Sequence, residues 1–76
     1  MKTAFEILED AAFDAVAQKS RKPLQHAIDR RSIDELKRAA DIAWYHITNE
    51  SRTHAHKVYE YLYGVIIEEL DGVGAL

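Results

Sequence analysis

Apolar residues return along most of this chain at steps of three and four, which is the repeat of one face of an α-helix. Phe5, Leu8, Ala12, Ala15 and Val16 form the first such series. Glu6, Asp10 and Asp14 occupy the opposite side. Thr3 followed by Glu6 has the spacing of a capping box, so a helix is expected over 4–18. "KSRKP" then interrupts the pattern, because Pro23 has no N–H to continue a helix but suits the first turn of a new one. Leu24, Ala27 and Ile28 predict a short helical elbow over 23–30. "SIDE", residues 32–35, is a second capping box, and behind it the seam Ile33, Leu36, Ala40, Ala43, Ile47 predicts a helix over 33–49. Ala39, Ala40 and Ala43 are small enough to admit a neighbouring backbone, and Trp44 lies beside the seam. "TNESRT", residues 48–53, is polar turn material that reverses the chain into a helical hairpin.

The segment "KVYEYLYGVII", residues 57–67, is rich in strand-forming Val, Tyr and Ile. No other segment reads as a strand to pair with it, and a lone strand is not stable, so pattern outweighs propensity. A helix is expected over 53–71, with Gly72 ending it. Its main face holds Ala55, Val58, Leu62, Val65 and Ile66, widened by Tyr59, Tyr63 and Leu70 on one side and Tyr61 on the other. Such a stripe is broader than the usual sector of about 100° and implies packing on more than one side. Mid-helix Gly64 costs about 1 kcal/mol relative to Ala, which suggests a close backbone approach there. The expected fold is therefore all-α: one domain over 1–76, with three main helices and an elbow. The hairpin 33–71 is expected to pair with a second copy into a four-helix core, through an interface of Tyr59, Leu62, Tyr63, Ile66 and Leu70.

Composition narrows the setting. An apolar fraction of 47% with 30% charged residues belongs to a folded chain, not a disordered one. At 76 residues, a single domain buries only about 60% of its unfolded surface, so association is a natural source of further stability. There are no cysteines, which excludes disulfides and thiolate metal sites and fits a reducing cytoplasm. Acidic residues interrupt the apolar positions of "MKTAFEILEDAAF", unlike a secretory leader, and no run has the length of a membrane span. Charge is uneven: residues 1–18 carry −3, residues 19–31 carry +4, and residues 32–76 carry −4. The basic segment makes Arg21, Lys22, Arg30 and Arg31 the candidate partner-binding residues, against an acidic protein surface.

Residues with catalytic potential do not assemble in the sequence. His54 and His56 in "HAH" diverge by about 200° on a helix, so they cannot share an ion. His46, Glu50 and His54 would align only if one helix ran through the turn. No metal, cofactor or catalytic residue is assigned, and no enzyme activity is expected, because nothing resembles a Ser-His-Asp set or a phosphate loop. Glu68 with Glu69, and Asp34 with Glu35, are sequence neighbours that point apart. Nucleic-acid binding through 19–31 is the alternative, but a recognition helix beginning at Ile33 would present Asp34 and Glu35 to DNA. "RAAD", residues 38–41, resembles a segment of the Hha family of bacterial proteins, which modify nucleoid-associated repressors by binding them. That resemblance covers about one helix and carries over no site residue. The expected function is a small non-catalytic protein-protein interaction module, an adaptor, inhibitor or regulator acting as a homodimer.

Overall fold

Four helices make up the computed structural model, which describes residues 1–49 and 53–76. They are α1 (Ala4–Gln18), α2 (Lys22–Asp29), α3 (Ile33–Asn49) and α4 (Thr53–Gly72). Both capping boxes form. The Thr3 hydroxyl accepts from the Glu6 N–H at 3.2 Å while the Glu6 carboxylate accepts from the Thr3 N–H at 3.0 Å. Ser32 and Glu35 repeat the exchange at 3.1 and 3.0 Å. Hydrogen bonding from the Thr3 backbone, then from its hydroxyl, holds the Glu6 carboxyl below its ordinary range. The Ser32 backbone N–H does the same for Glu35, opposed by partial desolvation.

Two helix ends share one geometry. After α1, the N–H of Ser20 reaches the Ala15 carbonyl at 3.0 Å and that of Lys19 reaches Val16 at 3.2 Å. After α4, Ala75 reaches Leu70 at 2.8 Å and Gly74 reaches Asp71 at 3.0 Å. Each is a Schellman closure, which needs a left-handed residue at its corner. At the α4 end that residue is Gly74 (φ 70°), whereas Gly72, expected to end the helix, is its last helical residue. At the α1 end the corner is Lys19 (φ 54°), where a Cβ makes the conformation costly. Lys19→Gly is expected to raise stability by about 1 kcal/mol, the relief of that strain exceeding the entropy glycine adds to the unfolded chain. Urea denaturation checks this; an unchanged or lower midpoint would show Lys19 to be unstrained.

The core is continuous across all four helices. α1 supplies Phe5, Leu8, Ala12 and Ala15, α3 supplies Leu36, Ala39, Ala40 and Ala43, and α4 supplies Val58, Leu62, Val65, Ile66 and Leu70. α3 and α4 are the most extensively packed pair, and they run antiparallel: His46 meets Tyr59, Trp44 meets Tyr63, and Lys37 and Ala40 lie beside Ile67 and Leu70. The alanines of α3 let α4 approach, as their size led us to expect. α1 then packs against the other three helices.

Two expectations change at this level. The elbow is a full core helix, because α2 inserts the completely buried Leu24 and Ile28 against α1. The wide stripe of α4 is largely covered from within the chain: Tyr59, Leu62, Ile66 and Leu70 are buried in its own core, while Ala55, Tyr61 and Tyr63 are half-buried. The radius of gyration, 11.4 Å, matches the value of about 11 Å for a closed domain of this length. "KVYEYLYGVII" is helical, and no strand occurs among the described residues. Of the predicted turn, Thr48 and Asn49 belong to α3, and residues 50–52 lie outside the described residues. No helix among the described residues is long and apolar enough to cross a membrane.

Candidate interaction surface

Much of the apolar surface that the core does not use lies on α3 and along its border with α4, with Met1, Val16 and Val73 exposed elsewhere. Four helical residues facing the core leave Ile33 (45% exposed), Ile42 (41%), Trp44 (53%) and Tyr45 (63%) in solvent. Single exposed apolar residues are ordinary, but a half-exposed Trp beside an exposed Tyr on one short helix is a concentration that interfaces favour. Trp44 leans on Tyr63 of α4, with ring centroids 5.4 Å apart and planes tilted by 43°. Around this pair runs an open groove of ≈ 390 Å³, with Lys37, Asp41, Trp44, Tyr63, Ile67 and Leu76 in its walls. Its floor is apolar, and its α3 rim carries one cation and one anion.

Gly64 is exposed on α4 next to Tyr63, and a methyl group added there would meet nothing within 4 Å. No close approach among the described residues accounts for this glycine.

The basic residues of 19–31 do not converge. Arg21 reaches Glu68 of α4 at 3.4 Å, and Arg31 lies 3.9 Å from Glu35. The Nε of Arg31 is buried and has no hydrogen-bond partner among the described residues. Lys22 lines one hollow with Gln18 and Pro23, while Arg30 and Arg31 line another with Ile7 and Ala27. Eight residues of helix, about 12 Å, separate the two ends of α2. His26 borders both hollows, so Lys22, His26 and Arg30 form an exposed line at four-residue steps. That spacing was present in the sequence, but His26 was not among the candidates. Asp29, held to Gln25 at 2.9 Å, sits on the same side.

The histidines at the α3-α4 end are packing groups. His46 stacks on Tyr59 (4.5 Å, 11°) and on Phe5 (5.5 Å, 11°), while His54 tilts against Phe13 at 6.1 Å. The Tyr59 hydroxyl lies 2.5 Å from the Glu9 carboxylate, tying α4 to α1. His56 pairs with Glu60 one turn on. Glu50, the middle member of the His46, Glu50, His54 series, lies outside the described residues. Among those described, no group of three or more His, Asp or Glu side chains is placed to hold a metal ion.

These features define a small four-helix domain with one aromatic groove and a divided basic surface. No family model, curated protein or solved structure matches the chain. The likeness of residues 38–41 to the Hha family stands on that segment alone.

Proposed function

We propose that this protein is a non-catalytic protein-protein interaction module, an adaptor or regulator that associates with a second copy of itself through the aromatic surface of α3 and α4. The observation that carries this reading is Trp44, a large apolar side chain left 53% exposed on a chain whose core is otherwise closed. Aromatic anchors of this kind contribute most of the energy of many protein interfaces. The groove beside Tyr63, with Ile67 and Leu76 in its walls, extends the patch around it, whereas Ile42 faces a separate hollow beside Phe5 and Arg38. The divided basic surface supports a partner role less directly, since Arg21 and Arg31 are already engaged by Glu68 and Glu35.

Trp44 is also the only tryptophan, so its fluorescence reports on this surface alone. On concentration, light scattering should show a dimer, and the Trp44 emission should shift to shorter wavelength as the indole leaves water. Trp44→Ala should remain helical and lose about 2 kcal/mol of association energy, the scale of an interface hot spot. A strictly monomeric protein with unshifted emission at millimolar concentration overturns the reading.

A second reading rests on the exposed line Lys22, His26, Arg30, which is suited to phosphate contacts. It requires a labelled duplex to be retarded at low salt and released steeply as salt rises, and the interaction-module reading requires neither.

A further inference from the structure

The outer edge of α3 that borders the groove has an order of its own. Ile33, Lys37, Asp41 and Trp44 fall within a sector of about 80°, at about 100° per residue, so they line one edge of the helix. Read from the N-terminus, that edge is apolar, basic, acidic, apolar. Reversed, it becomes apolar, acidic, basic, apolar, which is the complement of itself.

From this order, and resting on the self-association proposed above, we infer that the partner is a second copy docked with its α3 antiparallel across a twofold axis near residue 39. In that arrangement Ile33 of each copy covers Trp44 of the other, and Lys37 of each copy meets Asp41 of the other. The midpoints of the two pairs differ by only about half a residue, less than the 1.5 Å rise of one helical step, so one axis serves both. A parallel docking would set Lys37 against Lys37 and Asp41 against Asp41, which like-charge repulsion disfavours. An isologous contact of this kind closes on itself and stops at the dimer.

Three features of the single chain agree. Lys37 and Asp41 are both exposed, and neither takes part in an ion pair of the described residues. They stand at i and i+4 with the base first, the less favourable order for pairing within one helix. Ile33 and Trp44, the two apolar ends of the edge, are 45% and 53% exposed, and Tyr63 covers only one side of the Trp44 indole.

Charge exchange tests the arrangement. Lys37→Asp leaves two acids on the edge, and Asp41→Lys leaves two bases. Each variant alone should dimerise about tenfold more weakly than the natural protein, since both symmetry-related contacts become repulsive. Mixed one to one, the two variants should form a heterodimer within about threefold of the natural affinity, because every crossed contact is then opposite in charge. Sedimentation equilibrium, with one variant carrying a fluorophore, reads each variant alone and their mixture. Recovery in the mixture cannot come from misfolding of either variant. If the natural protein dimerises but both variants do so equally well, or the mixture fails to recover, the antiparallel arrangement is overturned while self-association stands. A natural protein that stays monomeric overturns both.

Discussion

Ile66→Asp is expected to abolish folding. Ile66 is completely buried where α4 meets the rest of the core, so the substitution removes its hydrophobic contribution of about 2–3 kcal/mol and places a carboxylate where nothing can hydrate it. A chain of 76 residues has a total stability of about 4–11 kcal/mol, and the two losses together consume most of it. Far-UV circular dichroism at neutral pH should show the helical signal collapse. A folded variant with an unchanged thermal midpoint and reduced mass would instead return Ile66 to an intermolecular interface, the place its sequence pattern first suggested. The experiment therefore decides between a core residue and a contact residue at the position where sequence and structure disagree.

Leu24→Ala should cost about 2–5 kcal/mol, as expected when a fully buried leucine is truncated and the space only partly collapses. For a domain of this size each kcal/mol moves the thermal midpoint by about 4–8 °C, so a fall of more than about 10 °C is expected. Arg30→Glu, on the exposed side of α2, serves as the comparison and should change stability by less than about 0.5 kcal/mol. A Leu24→Ala loss no larger than that of Arg30→Glu would reduce α2 to a linker between two longer helices. A large loss makes it the element that covers α1, with Ile28 sharing the load.

The helices were legible because their signals are local. Thr3 with Glu6, and Ser32 with Glu35, satisfy backbone groups three residues away, so the same short strings specify the caps in any fold that contains them. The α1 end was placed at Gln18, but its left-handed corner was not seen, since Lys19 carries none of the usual signature of that conformation. Gly72 was read as the corner of α4, whereas Gly74 takes the role two residues later.

Contacts distant in sequence were not legible. The stripe on α4 was correctly seen to be wide, but its width was assigned to a second molecule because a helical wheel does not show how far α1 and α3 reach around it. α1 packs over α4, and Tyr59 is held by Glu9, Phe13 and His46. The exposure of Trp44 was missed for the related reason that a helical wheel marks the edge of a face without saying whether a neighbour reaches it. Here Tyr63 reaches one side of the indole and solvent takes the other.

By itself, then, the sequence determined the class of fold, the four helical segments and the capped starts of α1 and α3. These follow from backbone hydrogen bonding and helical periodicity, which act within a few residues. Only the tertiary structure decided which apolar residues are shared within the chain and which remain on its surface, because burial is set by the distance between helices that meet from far apart in sequence. That decision moved Leu62, Ile66 and Leu70 inward and left Trp44 outside. In doing so it transferred the candidate interaction surface from the apolar face of α4 to the outer edge of α3.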